Sequence, residues 1–166
     1  MSGSSQGTEQ VVSSVDELRQ WVGKEIGVSD WLEITQERVN LFADATGDHQ
    51  YIHVDPERAK QTFFGGTVAH GYLTLSLIPH LSGLRREGVK ISLGGKMGVN
   101  YGLNRVRFPA PVKVGSRIRM RTKLLNVEEI EGGAGRAVQI TSEQTIEVEG
   151  QERPACVAET LGRTYF

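Results

Sequence analysis

From Gly71 the chain reads Tyr72, Leu73, Leu75, Leu77, Ile78, Leu81 and Leu84, with no Asp, Glu, Lys or Arg before Arg85. A helix that is apolar nearly all round has to be covered by the rest of its domain. The chain downstream can supply that cover. Val99, Tyr101 and Leu103 alternate, then the phase slips so that Val106 and Phe108 continue it, which predicts a bulge near Asn104. Ile118, Met120, Thr122 and Leu124 alternate with Arg117, Arg119, Arg121 and Lys123, and Val138, Ile140, Ser142, Gln144, Ile146 and Val148 repeat the pattern. A last strand runs from about Ala155 to Tyr165. Four consecutive strands joined by turns, one of them at Gly132-Gly-Ala-Gly135, make an antiparallel meander. The expected class is therefore α+β, a curved antiparallel sheet wrapped around a long central helix. Pro79 is expected to kink that helix, because it removes one backbone donor.

The upstream half is punctuated by caps. Ser14-Val-Asp-Glu17 has capping-box spacing, with Leu18, Trp21 and Val22 following on a small apolar face. Glu25 to Thr35 reads as a first strand, Thr35 caps a helix to about Ala45, and Gly47 closes it. Asp55-Pro56 starts a short helix to about Gln61, and Phe63 to Ala69 is a loop. These elements predict one domain over residues 15–166 behind a flexible N-terminal tail, 1–14, which has neither the basic region nor the apolar run of a signal peptide. The longest apolar stretch is too short to cross a bilayer. With 19 basic and 20 acidic residues, nothing electrostatic favours nucleic acid or an acidic membrane surface. Cys156 is the only cysteine, so no internal disulfide forms; it reads as a small core residue in a reducing compartment, and the expected location is the cytoplasm.

The chemistry concentrates in Phe42-Ala-Asp-Ala-Thr-Gly-Asp48-His-Gln-Tyr-Ile-His53. A carboxylate follows a helix-ending glycine, an imidazole comes five residues later, and a second glycine-marked helix start follows at His70-Gly71. An acid/base pair facing the N–H groups of a helix N-terminus suits proton transfer beside a carbonyl. The plain alternative is that Asp48 caps a turn and His53 packs in a loop. Asp48, His49, His53, Asp55 and His70 are close enough in sequence to raise metal binding, yet their spacing matches no zinc signature, so no metal and no cofactor are expected. Arg117 to Lys123 place four cations on one strand face, read as a solvated face or edge protection, with ligand phosphates as a further use.

Three segments carry a resemblance: Ala45-Thr-Gly-Asp48-His-Gln-Tyr-Ile-His53-Val-Asp-Pro-Glu57, Val68-Ala-His70-Gly71-Tyr-Leu-Thr74, and Val106-Arg-Phe-Pro-Ala-Pro-Val-Lys-Val-Gly115. In this order, over about residues 25 to 165, the chain resembles the MaoC-like, (R)-specific enoyl-CoA hydratase family (hydratase 2 type) of hot-dog-fold proteins, and within it actinobacterial enoyl-CoA hydratases. The family's spacer is Asp-x-Asn-Pro-hydrophobic-His; here Gln50 replaces the amide Asn and Tyr51 replaces Pro, leaving both acid/base positions intact. The resemblance implies a lyase that hydrates trans-2-enoyl-CoA to (R)-3-hydroxyacyl-CoA and runs in reverse as a dehydratase. Asp48 and His53 would be its catalytic pair, sharing one water and one titration. The Gly71 N–H would hold the thioester carbonyl, with His70 beside it as a hydrogen-bonding residue or second acid. Asn104 and Arg107, with Arg105, are candidates for pantetheine or phosphate contacts. The implied partners are a CoA or acyl-carrier-protein thioester and a second copy in a homodimer. An acyl-CoA thioesterase and a non-catalytic acyl-binding subunit remain as alternatives. The absence of Asp and Glu between Gly71 and Leu84 counts against the first, and the presence of both Asp48 and His53 against the second.

Overall fold

The computed structural model describes residues 10–132 and 135–166. Its elements are β1 (Gln10–Val12), α1 (Val15–Arg19), β2 (Glu25–Ser29), β3 (Leu32–Glu33), α2 (Gln36–Thr46), α3 (Tyr51–Val54), α4 (Pro56–Ala59), α5 (Gly71–Ser76), α6 (Ile78–Gly83), β4 (Arg85–Ile91), β5 (Met97–Arg107), β6 (Arg117–Gly132), β7 (Gly135–Val148) and β8 (Cys156–Tyr165). The strands form one sheet in the order β1-β4-β2-β6-β7-β8-β5, with β3 paired to β6. All pairings are antiparallel except β1 with β4.

The capping residues do what their chemistry dictates. Thr35 accepts from the Arg38 N–H to start α2, Gly47 ends it with a left-handed φ of 79°, and the Asp55 side chain accepts from Arg58 N–H to start α4 behind Pro56. Ser14 caps α1, although Glu17 reaches back to the Ser13 N–H rather than to Ser14. The expected first strand breaks at Asp30-Trp31 into β2 and β3.

The central helix is α5 followed by α6, six residues each, broken at Leu77 with Pro79 in the first turn of α6. Such short segments are unstable alone, and burial holds them. Leu73, Leu77 and Leu81 pack with Ile34, Val39, Ile118, Met120, Ile146, Val148 and Cys156 in the main core, each leucine worth about 1.5–3 kcal/mol when buried. The helix is not covered all round, however: Tyr72, Ser76, Pro79 and His80 are exposed, because the sheet of one chain reaches only one side of it. A smaller core joins Val12 and Leu18 to Ile26, Leu124, Val127 and Val138.

Three further differences from the sequence reading concern pairing. The meander holds for β6–β7–β8, whereas β5 crosses to the far edge and pairs with β8, with register shifts at Asn100/Gly102 and at Leu103/Arg105, the second at the bulge expected near Asn104. An additional strand, β4, lies between β1 and β2. Within the segment expected as a tail, Gln10–Val12 forms β1 with Val12 buried, while residues 1–9 lie outside the described residues, as do Gly133 and Ala134 of the expected glycine turn. Arg117, Arg119 and Arg121 of β6 are paired across the strands with Glu149, Glu147 and Glu25, and Arg119 also lies over the Trp31 ring. Those guanidiniums are engaged in an ion-pair ladder, which accounts for the cationic face without a phosphate ligand. Cys156 is buried in the core, and burial pushes its thiol up to about 11.

Candidate active site

Asp48 stands just past the glycine that ends α2, in the turn before α3, and its carboxylate accepts from the Gln50 N–H at 3.3 Å. The side chain is about half exposed. His53 lies on α3 and is buried. Its Nδ1 is 2.6 Å from the Val68 carbonyl oxygen. A carbonyl only accepts, so Nδ1 carries the proton and Nε2 the lone pair. Burial is the main influence on this imidazole and lowers its pKa; the Val68 bond and Asp48 raise it, and His70 lowers it further. His53 is thereby kept as a neutral base.

His70 precedes α5 and is buried. It donates from Nε2 to the Asp48 backbone carbonyl at 2.9 Å, stacks on His53 with ring centroids 3.8 Å apart, and meets Phe42 at 5.0 Å. Its Nδ1 is buried with no hydrogen-bond partner among the described residues. The expected cluster is thus brought together from three separate elements: a carboxylate oxygen of Asp48 and one ring nitrogen each of His53 and His70 lie within 4.8 Å of one another. Two acceptors that close can share one water, since two hydrogen bonds of ~2.8 Å span more than the gap. These three are the groups among the described residues close enough together to hold a metal ion, and His53 Nε2 and His70 Nδ1 are the ring nitrogens not bonded to a carbonyl. His49 and Asp55 go elsewhere, His49 to Asp44 at 2.8 Å and Asp55 to its capping bond.

Gly71 opens α5 directly beside His70. The Thr74 N–H is bonded back to the His70 carbonyl at 3.2 Å, so the first three N–H groups of the helix have no partner within it. A Cβ on Gly71 would lie 3.1 Å from the Phe108 ring, which closes over the helix start from the end of β5. Asn104 and Arg107 make their contacts on that strand, Asn104 with Glu159 of β8 and Arg107 with the Val106 carbonyl. A groove of about 550 Å³ runs along α5 and α6, between Leu75, Ile78 and Pro79 on one side and Tyr101, Leu103 and Leu161 on the other. Leu75, Ile78 and Ser82 follow Gly71 at helical spacing, so the groove continues the face on which Gly71 lies. Sequence reasoning did not find Gln36, Thr67, Val68 or Phe108, which touch His53, its supports or Gly71.

Comparison with known proteins gives the family and the fold. The family described as "MaoC like domain" matches residues 17–147. The chain is 54% identical over 150 residues to 3-hydroxyacyl-thioester dehydratase Z of Mycobacterium tuberculosis, covering 90% of this chain and 95% of that protein. It is 48% identical over 138 residues to nodulation protein N of Rhizobium leguminosarum bv. viciae, covering 82% of each. Among solved structures, the (R)-hydratase from A. caviae involved in PHA biosynthesis superposes with a TM-score of 0.66 at 24% identity, over 85% of this chain and 94% of that one, and shares the hot-dog fold.

Proposed function

The chain belongs to the MaoC-like domain family of dehydratases, and from that premise we propose that it adds water reversibly to trans-2-enoyl thioesters to give (R)-3-hydroxyacyl thioesters. In this reading one water lies between Asp48 and His53. The pair takes a proton from it as its oxygen bonds to C3, the alkene electrons move onto the thioester carbonyl, and the pair returns a proton to C2. Both protons belong to the coupled pair rather than to either residue. The developing enolate oxygen is met by the N–H of Gly71 at the positive end of α5, where glycine allows the thioester to come close. His70 holds Asp48 by its carbonyl. The acyl chain, carried as a CoA or acyl-carrier-protein thioester, lies in the groove along α5 and α6, with Asn104 and Arg107 toward the carrier.

The observation that carries this reading is the meeting of Asp48 and the neutral His53 beside the start of α5, within reach of a single shared water. The name of the mycobacterial relative favours the same chemistry. The experiment is to follow loss of the conjugated thioester absorbance with crotonyl-CoA and longer enoyl-CoAs, with chiral analysis of the product. Hydration to the (R) alcohol is expected. Release of free thiol without hydration would favour a thioesterase, and an (S) product would overturn the stereochemical assignment.

The active unit is a homodimer in this reading. Strand β5 is the sheet edge, and Met97, Tyr101 and Leu103 on it are exposed, as are Tyr72 of α5 and Phe108. An apolar edge of this kind beside an open helix face calls for a partner, and a second copy would supply the missing cover. No helix among the described residues is long and apolar enough to cross a membrane, and we place the enzyme in the cytoplasm.

A further inference from the structure

His53 sits on α3, a single turn of four residues, which cannot hold itself together in water. Its carbonyls are held from outside. Ile52 accepts from the Val68 N–H at 3.0 Å, and His53 accepts from Gln36 Nε2 at 2.7 Å. The Gln36 amide is fixed at both ends: Nε2 also donates to Asn40 Oδ1 at 2.9 Å, and Oε1 accepts from the Thr67 hydroxyl at 2.7 Å. A flipped amide would set acceptor against acceptor at the His53 carbonyl, which fixes the orientation in which Oε1 faces the Thr67 hydroxyl. Thr67 in turn adjoins Val68, whose carbonyl takes the Nδ1 proton of His53. The same segment is tied down by Val114 N–H to the Thr67 carbonyl at 3.0 Å and by Ala69 N–H to the Val112 carbonyl at 2.8 Å.

We propose that Gln36 and Thr67 form a clamp that positions His53: Gln36 grips its backbone and, through Thr67, the carbonyl that orients its ring. Neither residue touches the reacting atoms. The inference rests on the hydratase reading, in which His53 shares the attacking water. A displacement of about 1 Å at such a residue costs ~10²-fold in rate.

The test uses Gln36→Met, which keeps the size but removes the hydrogen bonds, together with Thr67→Val and Thr67→Ser. Gln36→Met and Thr67→Val should lower kcat by ~10- to 10²-fold with KM changed less than about twofold. Thr67→Ser, which keeps the hydroxyl, should restore the rate. The acid limb of the pH profile should also move. In the intact protein burial opposes protonation of His53, with Asp48 and His70 the ionisable groups facing it. A loosened turn admits water, so the limb should rise toward the free-imidazole value of about 6.5. A role in folding alone would lower the yield and melting temperature and leave the limb in place. Proton NMR of the His53 Nδ1–H gives a readout independent of turnover: it should exchange ~10-fold faster in Gln36→Met and Thr67→Val than in wild type or Thr67→Ser. Folded Gln36→Met with the wild-type kcat and an unchanged Nδ1–H signal would overturn the clamp, as would a lower kcat with both limb and signal unmoved. If the wild-type protein hydrates no enoyl thioester, the functional reading falls, while the NMR signal still decides the clamp.

Discussion

Asp48→Asn separates chemistry from folding more cleanly than any other change in this protein. The carboxylate is about half exposed and accepts one hydrogen bond, from the Gln50 N–H at 3.3 Å, which an amide oxygen can also accept. Loss of its charge should therefore cost within ~0.5 kcal/mol of stability, a shift in melting temperature of about 2 °C or less for a chain of this size. What it removes, in the proposed mechanism, is one of the two groups that share the water. The expected fall in kcat is at least ~10²-fold, the usual contribution of a positioned acid or base, equivalent to ~2.7 kcal/mol of transition-state stabilisation. His53→Ala should lose a comparable rate but not so quietly. It empties a buried site, unstacks His70 and strips the Val68 carbonyl of its donor. Those losses sum to ~2–4 kcal/mol, or about 5–15 °C. Two independent effects of ~10² would multiply to ~10⁴ in the double variant. A pair acting as one unit leaves it scarcely slower than the worse single variant. Initial rates with crotonyl-CoA, beside thermal melts of the three variants, decide the matter. Asp48→Asn with a near-wild-type rate and an unchanged melt would refute the reasoning and reduce Asp48 to a turn residue.

Other consequences follow from the same geometry. Burial lowers the pKa of His53 below its ordinary 6.5, so kcat/KM should hold its plateau below pH 6.5 and fall only under the depressed value; an acid limb at or above 6.5 would contradict a buried neutral base. The same shift means that the unfolded chain binds this proton more readily, so the stability linked to His53 is present above pH 6.5 and is lost as pH falls toward the folded-state value, which a series of melts would show. Gly71→Ala brings a Cβ to 3.1 Å from the Phe108 ring, and kcat/KM should drop by ~10- to 10²-fold with little change in melting temperature; recovery in Gly71→Ala/Phe108→Leu would assign the loss to the ring rather than to the thioester approach. Leu103→Lys on the exposed edge of β5 should convert a sedimenting dimer to monomer, and an unchanged dimer would place the interface elsewhere.

The parts of the fold that could be read from residues are those whose period is local. Ile118 to Leu124 and Val138 to Val148 alternate and form β6 and β7; Thr35, Gly47 and Asp55 cap where they stand. Strand β4 escaped because Arg85-Arg-Glu-Gly-Val-Lys-Ile91 buries only Val89 fully, and it is extended by pairing with β1 and β2 rather than by its own preferences. Gly88 shows what the long-range contact demands. At φ 119° any side chain there would run into the Ile26 carbonyl oxygen, a reason for glycine that exists only once β2 is in place. The half-open central helix has the same origin. Its composition asks for cover on every side, and one sheet of this chain covers only one.

The site divides along a similar line. Asp48, His53 and His70 were recognisable because few side chains can move protons, and the first two sit within one short turn of sequence. What holds them is mostly main chain. The Val68 carbonyl sets the His53 tautomer and the Asp48 carbonyl receives His70, and every residue type offers a carbonyl. A side-chain change at Val68 that preserves the backbone leaves that contact intact, so the position carries the interaction without the residue announcing it. Gln36 differs, because its amide is the contact. At the first turn of α2 it reads in sequence as one more polar helix residue. Only the arrival of Thr67 and of the His53 carbonyl, thirty-one and seventeen positions along the chain, gives the amide something to hold. The groups proposed to do the chemistry are thus marked by their type, whereas those proposed to aim them are marked only by where the fold puts them.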